Sequence, residues 1–342
     1  LLFPFHCVAF WAEDVPASRD TNVPSSNELA QRWQIAPASP WSRYYKGTLV
    51  SAQYLANLGR KLTATGLSLN QVRPELVGGA GTIQSRRPFP QFTDVVVQSP
   101  NLGVSSYHGL LLRFEKRYRN GFQYLMNYTF SKFLDNVDPI GNGDFGGTPG
   151  AGYQDFYNRR LDKALSPNDV RHAMNFNVIY EIPMFAKGSL LGRWLGGWQL
   201  STLAVIQTGA PYGVNTQTNT CECSSAGPQR PNLLRDPALP ADQRTPQRWF
   251  DINAFAQPGR FLFGTAARSV GRAPGLVSVD AGLMKNFALS DRFRLQLRGE
   301  AFNTFNHTNF GIPGLALGSP NFGAINSAGD ARIMQVGAKS YF

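Results

Sequence analysis

The sequence predicts an all-β protein: an antiparallel transmembrane β-barrel, incomplete in this chain, with short periplasmic turns and long extracellular loops. Three observations predict it. Segments of about ten residues alternate apolar and polar side chains with a period of two. Short and long connections follow each other in turn between these segments. No apolar run approaches the roughly 20 residues of a membrane-spanning helix, and 34 Gly and 23 Pro among 342 residues disfavour long helices.

The clearest hairpin lies around the tight-turn sequence Arg119-Asn120-Gly121. On both sides of this turn every second residue is apolar, and a period of two places such residues on one face of a sheet. In a membrane barrel the apolar face contacts lipid and the other face lines a wet lumen. The predicted lipid-facing residues here are Leu110, Leu112, Phe114, Phe122, Tyr124 and Met126. The predicted lumen-lining residues are Arg113, Glu115 and Asn127.

Further segments repeat this alternation. They are residues 174–181, 198–207, 277–283, 293–301 and 334–342, with weaker candidates at 31–35 and 48–55. In residues 293–301, Leu295 and Leu297 are predicted to face lipid. The residues between and around them form a polar row that is predicted to line the lumen: Arg294, Gln296, Arg298 and Glu300. A soluble β-sandwich would turn the same polar row toward water, and this alternative stays open.

The connections support a barrel. Short or medium connections are predicted at residues 119–121, 182–197 and 288–291, and long ones at 58–106, 132–171, 209–275 and 304–331. Loops of this length are unusual in a compact soluble domain. The tally is about nine spanning strands, whereas single-chain bacterial barrels have an even number. We therefore expect further strands N-terminal to those seen here.

Several motifs occur in a fixed order from about residue 30 onward. They are residues 85–92 (SRRPFPQF), 107–117, 127–132 (NYTFSK), 169–172 (DVRH), 196–200 (GGWQL), 298–307 (RGEAFNTFNH) and 318–323 (GSPNFG). With these motifs the chain resembles the C-terminal barrel portion of TonB-dependent outer-membrane receptors of the Oar-like type. The resemblance implies a location in the outer membrane of a Gram-negative-type bacterium. It divides the chain into an irregular or loop segment, 1–29, and a barrel segment, 30–342.

The resemblance also implies a function and a set of partners. The barrel of such a receptor takes up a substrate actively, with loops that capture it and a plug that TonB moves; the plug and the TonB-contacting segment belong to N-terminal parts that these 342 residues do not show. The expected partners are outer-membrane lipid, lipopolysaccharide and the barrel-assembly machinery, which reads a terminal aromatic such as Phe342. The alternative function is a structural or adhesive barrel whose loops bind partners without transport.

Other functions are not favoured by the sequence. The net charge of +11 suggests nucleic-acid binding, but no Lys/Arg run exceeds two residues and no zinc-finger or RNP-type motif occurs. The four histidines, His6, His108, His172 and His307, are dispersed, and no G-x-S-x-G is present. We therefore expect no enzyme, no cofactor and no nucleic-acid partner.

Two loop features leave alternatives open. Oxygen-bearing side chains at Asp135, Asp138, Asn142 and Asp144 form a weak calcium candidate, because Ca²⁺ takes six to eight oxygen ligands. A solvated acidic loop is the competing interpretation. The pair Cys221 and Cys223 suits a strained disulfide, half of a metal site or an incidental loop pair, and the sequence favours the last.

Overall fold

The segments with a period of two form the strands of one antiparallel sheet. The structure is a computed structural model that describes residues 32–37, 41–62, 67–97, 100–136, 153–182, 196–223, 229–288 and 293–342. These residues belong to the unit Gln31–Phe342 of the chain. The long strands are β1 (Arg32–Pro37), β2 (Trp41–Tyr45), β3 (Thr48–Leu62), β4 (Gly103–Arg119), β5 (Phe122–Asp135), β6 (His172–Ile182), β7 (Trp198–Gln207), β8 (Leu276–Ala288), β9 (Arg294–Phe302) and β10 (Ile333–Tyr341).

Neighbours in the sheet are neighbours in the sequence. The order is β1-β3-β4-β5-β6-β7-β8-β9-β10, and each adjacent pair is antiparallel. Strand β2 also pairs with β3, beyond the end of β1, so β1 and β2 occupy one position. Nine positions result, in agreement with the predicted tally, and both weak candidates are strands. No pairing joins β1 to β10 among the described residues, so the described sheet is open.

The connections alternate as predicted. Two residues join β2 to β3, and two join β4 to β5, whereas all four long connections leave the opposite end of the sheet. No helix in the described part of the chain is long and apolar enough to cross a membrane. The described parts of the long connections contain only short elements. These are the strands Leu67–Ser68, Val96–Val97, Ala164–Leu165, Pro211–Tyr212, Asn215–Thr216, Asn232–Leu233, Phe255–Ala256, Gly271–Arg272 and Ala316–Leu317, the α-helix Ile83–Arg86, and the 3₁₀-helices Pro74–Leu76, Arg159–Asp162, Ala241–Gln243 and Ile252–Ala254.

The burial of apolar side chains distinguishes a membrane-embedded sheet from a soluble β-sandwich. Among the described residues, every fully buried apolar side chain except Ala204 lies in the long connections. Apolar side chains of the sheet stay open to the surroundings: Leu110 is 40% exposed, Leu297 41% and Leu283 42%. A soluble sandwich buries one face of each sheet in its core. An open apolar face is instead what a barrel presents to lipid.

Both tight hairpins depend on residues that accept positive φ. Lys46 and Gly47 have φ of 47° and 80°, and Asn120 and Gly121 have φ of 53° and 76°. Positive φ at both central residues is type I′ geometry, whose twist matches that of paired strands. The turn predicted at Arg119-Asn120-Gly121 is confirmed.

The two turn glycines form a matched pair for mutation. An added Cβ at Gly121 would lie 3.0 Å from Cβ of Glu181, whereas nothing lies within 4 Å of an added Cβ at Gly47. Positive φ costs Ala about 1–2 kcal/mol at either position. We therefore expect Gly121→Ala to lower the free energy of unfolding in lipid, measured by urea titration, by more than Gly47→Ala. Equal losses would show that Glu181 does not constrain the turn.

Candidate functional site

The strand register divides the side chains of the sheet into two faces. Directly paired residues of antiparallel strands lie side by side on the same face. One row runs from Leu112 through Tyr128 to Met174, and the next row joins Arg113 to Asn127. We call the face that contains the first row the apolar face and the face that contains the second row the polar face.

Each predicted set of sheet residues lies on a single face. The residues predicted to face lipid lie on the apolar face: Leu110, Leu112, Phe114, Phe122, Tyr124, Met126, Leu295 and Leu297. The residues predicted to line a lumen lie on the polar face: Arg113, Glu115, Asn127, Arg294, Gln296, Arg298 and Glu300. The register stays in phase across all the strands between these positions. Within each set, the residues of β4 and β5 therefore lie on the same side of the sheet as the residues of β9.

Opposite charges compensate each other on the polar face. Arg113 donates from Nη2 to Oε2 of Glu115 at 2.7 Å, and Arg298 donates from Nη2 to Oε1 of Glu300 at 2.6 Å. Gln335 of β10 also donates to the Glu300 carboxylate. Each of these ion pairs joins residues i and i+2 of one strand, and such residues lie on the same face of the sheet. A wet surface with paired charges is the result.

The polar face also carries leucines. Leu111 and Leu125 lie beside the Arg113 row, and Leu203 lies opposite Asp280. The row on β9 is wholly polar, as predicted, but the whole face is mixed. Leu203 and Asp280 both line a cavity of about 230 Å³ on this face, between β6 and β9.

Two lysines of the apolar face, Lys116 and Lys285, lie near its short-turn end, whereas Lys132 and Arg60 lie on the same face toward the long loops. The Nζ of Lys116 is 5.2 Å from the ring centre of Phe122. The Nζ of Lys285 is 5.1 Å from the ring centre of Phe287 and 5.8 Å from that of Trp198. Lysines beside aromatic rings are typical of the membrane interface, where a long stem reaches the polar layer. Both ammonium groups therefore lie beside aromatic rings, and Lys285 is 1% exposed.

An aromatic group lies at the long-loop end of the apolar face. The hydroxyl of Tyr54 is 2.6 Å from Nδ1 of His108, and that of Tyr128 is 2.7 Å from Nδ1 of His172. Phe130 packs on the His172 ring at 5.1 Å. Phe130 lies toward the long-loop end of β5, Tyr128 lies near the middle of that strand, and Tyr118, Tyr180 and Trp198 lie at the short-turn ends of theirs.

The long connections pack on one another. We call their described parts, within residues 63–102, 136–171, 208–275 and 303–332, the loop layer. Its centre is aromatic: the Phe250 ring lies 5.4 Å from Tyr212, 5.7 Å from Phe255 and 5.2 Å from Phe322. Phe322 comes from the GSPNFG motif, so that motif has a packing role. Burial raises the pKa of the Tyr212 phenol.

Three buried ion pairs join two of these connections. Each carboxylate comes from the end of β5 or the connection after it, and each guanidinium from the connection between β7 and β8. The pairs, which we call the Asp–Arg clamp, are Asp135 with Arg268, Asp162 with Arg230 and Asp169 with Arg272. The side chains of all three aspartates are at most 5% exposed. Sequence analysis missed the clamp, although Asp169 belongs to the DVRH motif.

The clamp also satisfies backbone groups. Oδ1 of Asp169 accepts a hydrogen bond from the Phe133 amide at 2.5 Å, and Arg268 donates from Nε to the Asp162 carbonyl at 3.0 Å. Burial raises the pKa of Asp162, and the nearby Arg230 opposes that shift. A buried carboxylate kept beside its guanidinium is stable only while both are present.

The first long connection attaches to the same layer. Gln71 donates from Nε2 to Oδ1 of Asp155 at 2.7 Å, and the Val72 amide donates to the Cys223 carbonyl at 2.7 Å. Cys221 and Cys223 form a disulfide that is buried beside Val72. The favoured interpretation of these cysteines as an incidental pair is therefore wrong, and the disulfide alternative describes them.

Asparagines of the RGEAFNTFNH motif end β9. Asn303 and Asn306 have positive φ, which Asn tolerates better than most residues. The Asn303 side chain accepts from the His307 amide at 2.9 Å and donates to the Asp330 carbonyl at 3.2 Å. Asn309 accepts from the Val277 amide at 2.8 Å. Asn303 thus joins the two ends of the last long connection, and Asn309, two residues beyond the motif, joins that connection to β8.

Of the four residues of the calcium candidate, the structure describes Asp135. The carboxylate of Asp135 pairs with the Arg268 guanidinium. Asp138, Asn142 and Asp144 lie outside the described residues. Within the residues that are described, no group of three or more His, Cys, Asp or Glu is placed to hold a metal ion.

A family model described as an outer membrane beta barrel domain matches residues 43–335. Among solved structures, the chain is similar to the outer membrane transporter YddB from Escherichia coli, with 8% identity and a TM-score of 0.44. That likeness covers 87% of this chain and 31% of the YddB chain. No curated protein matches.

Adjacent leucines test the assignment of the two faces. Leu112 lies on the apolar face and Leu111 on the polar face, in the middle of β4. Leu112→Arg should lower the free energy of unfolding in lipid vesicles by about 2–4 kcal/mol, the cost of Arg at the bilayer midplane. Leu111→Arg is the matched control and should cost much less, as measured by urea titration. A larger cost for Leu111→Arg would reverse the assignment.

The Asp–Arg clamp is open to a similar test. Asp162→Ala leaves Arg230 buried without its carboxylate, which costs about 3–5 kcal/mol. If that cost falls on the loop layer alone, limited proteolysis of the folded protein should be at least about a hundredfold faster. Arg260→Gln, which removes an exposed pair with Glu222 and a contact with the Phe261 ring, should leave the rate nearly unchanged. Equal rates for Asp162→Ala and the unmutated protein would show that the clamp does not hold the layer.

Proposed function

Because the chain belongs to the outer membrane β-barrel domain family, we propose that it is the barrel portion of a TonB-dependent receptor for active uptake of an unidentified substrate. The protein is located in the outer membrane of a Gram-negative bacterium. The apolar face contacts lipid, the polar face lines the lumen, and the loop layer lies outside the cell. In this arrangement the loop layer captures the substrate and the lumen passes it.

One observation carries the proposal: nine strand positions keep the same two faces, and all long connections gather at one end. Charged rows are costly in hydrocarbon, where Arg costs about 2–4 kcal/mol at the midplane, but are tolerated in a wet lumen. Arg113 and Arg298 therefore belong on the lumen side, with Glu115 and Glu300 as their counter-ions. Such a surface suits passage of a polar solute.

The TonB-dependent step is supported by sequence motifs. The ordered set of residues 85–92, 107–117, 169–172 and 298–307 resembles the barrel of Oar-like receptors. In such receptors a plug closes the barrel, and TonB moves the plug. The plug and the segment that contacts TonB would come from N-terminal parts of the receptor.

Assembly of the barrel involves a second proposed partner. Phe342 follows β10, the edge strand of the described sheet, and is 98% exposed. Its aromatic ring is open to recognition by the barrel-assembly machinery. The polar headgroups and acyl chains of the outer membrane then surround the apolar face.

Uptake is tested in the producing bacterium, with and without the gene. Cells of both kinds grow in a defined mixture of nutrients, with TonB intact or deleted, and mass spectrometry follows the depletion of each compound. We expect at least one compound whose depletion needs both the gene and TonB, and is restored when the gene is returned.

Two controls accompany the experiment. Wild-type and complemented strains are matched for the amount of folded barrel by its resistance to heat in detergent. Attachment of the cells to surfaces and to each other is scored in parallel. Unchanged depletion of every compound, together with reduced attachment, would contradict uptake and favour a structural or adhesive barrel.

A further inference from the structure

A groove of about 510 Å³ lies where the apolar face meets the loop layer. Its lower wall contains Met174 and Ile206, which are direct partners on β6 and β7. Its upper wall contains Arg244, Trp249 and Arg272 of the connection between β7 and β8. One wall is therefore apolar and continuous with the apolar face, and the other is basic and aromatic.

The two arginines of the upper wall differ in their charge balance. Arg272 is paired with Asp169 and donates from Nη1 to the Gly209 carbonyl at 3.1 Å. Arg244 donates from Nε to the Leu239 carbonyl at 2.7 Å. None of the ion pairs between described residues involves Arg244. Arg244 thus brings to the groove a guanidinium with no directly paired carboxylate among the described residues.

The Arg244 guanidinium is held in place. It lies 5.6 Å from the ring centre of Trp249, and Trp249 in turn donates from Nε1 to the Arg272 carbonyl at 2.9 Å. A planar guanidinium on an aromatic ring keeps its N–H edges available for an anion. At the edge of the lower wall, the hydroxyl of Tyr128 is hydrogen-bonded to Nδ1 of His172.

We propose that this groove binds one outer-leaflet lipid, with its headgroup phosphate on Arg244 and an acyl chain along Met174 and Ile206. The charge of the upper wall is complementary to a phosphate, and the lower wall to a hydrocarbon chain. A free phosphate would use only the upper wall, and an uncharged lipid only the lower. Met174 and Ile206 lie within two residues of the long-loop ends of β6 and β7, so the groove is on the loop side of these two strands. The proposal rests on the orientation of the apolar face toward lipid.

The experiment measures lipid binding by the folded, detergent-solubilised full chain. The probes are diphosphorylated lipid A, the same lipid after enzymatic dephosphorylation, and inorganic phosphate as a competitor. Native mass spectrometry gives the fraction of protein that retains one lipid. The variants are Arg244→Gln and, as the control in the same connection, Arg260→Gln.

We expect Arg244→Gln to bind diphosphorylated lipid A about tenfold more weakly than the unmutated chain, the value of roughly one charge-assisted hydrogen bond. Arg260→Gln should bind like the unmutated chain. The dephosphorylated lipid should bind the unmutated chain and Arg244→Gln alike, and excess inorganic phosphate should compete only weakly.

Three results would overturn the proposal. The first is unchanged binding by Arg244→Gln, and the second is an equal loss with Arg260→Gln, which would indicate a general charge effect. The third is full displacement of lipid A by inorganic phosphate, which would make the site one for a free anion. Uptake is not measured in this experiment. The lipid-binding result therefore does not depend on whether the receptor function is correct. The orientation of the apolar face toward lipid is tested separately, by the Leu111 and Leu112 substitutions in β4.

Discussion

In a strand that crosses hydrocarbon, every backbone N–H and C=O must hydrogen-bond to a neighbouring strand, because no water is present to replace a missing partner. This constraint produces long antiparallel strands that follow each other in sequence and in space. It also fixes the side chains, since paired strands in phase keep the same residues on the same face. From β3 to β10 the register holds one apolar and one polar face. The remaining features of the molecule are arranged around these two faces.

In the loop layer, backbone pairing between long strands does not satisfy the buried polar groups. The segments of this layer do not build long ladders, so side chains must satisfy many buried polar groups there. The Asp–Arg clamp does this between two connections, and Gln71 does it for a third. An aromatic centre around Phe250 supplies the apolar packing. The layer is therefore a preorganised surface, and a substrate that binds it meets positions already fixed by the protein.

Local patterns made the strands predictable, and the absence of local patterns hid the clamp. Alternation and the Asn120-Gly121 turn are short-range signals, so strand positions and the two faces could be derived from the sequence. Arg268 and Asp135 lie 133 positions apart, and nothing near Arg268 distinguishes it from the other arginines. The same distance affects the calcium candidate, because the sequence places Asp135 beside other acidic residues, whereas its partner Arg268 comes from another connection. Lys285 shows a related limit, because only the fold places it between two aromatic rings.

The division into two faces is tested most directly by single-cysteine labelling along β4 and β9. In a chain with Cys7 replaced by Ser and the Cys221–Cys223 disulfide kept, a fluorophore is attached at each position in turn, and a nitroxide lipid quenches it. Strong quenching at Leu110, Leu112 and Leu297, with weak quenching at Leu111, Arg113 and Arg298, is the predicted alternation. Strong quenching at Arg294 and Arg298, or an even profile along either strand, would contradict a barrel with its polar face toward the lumen.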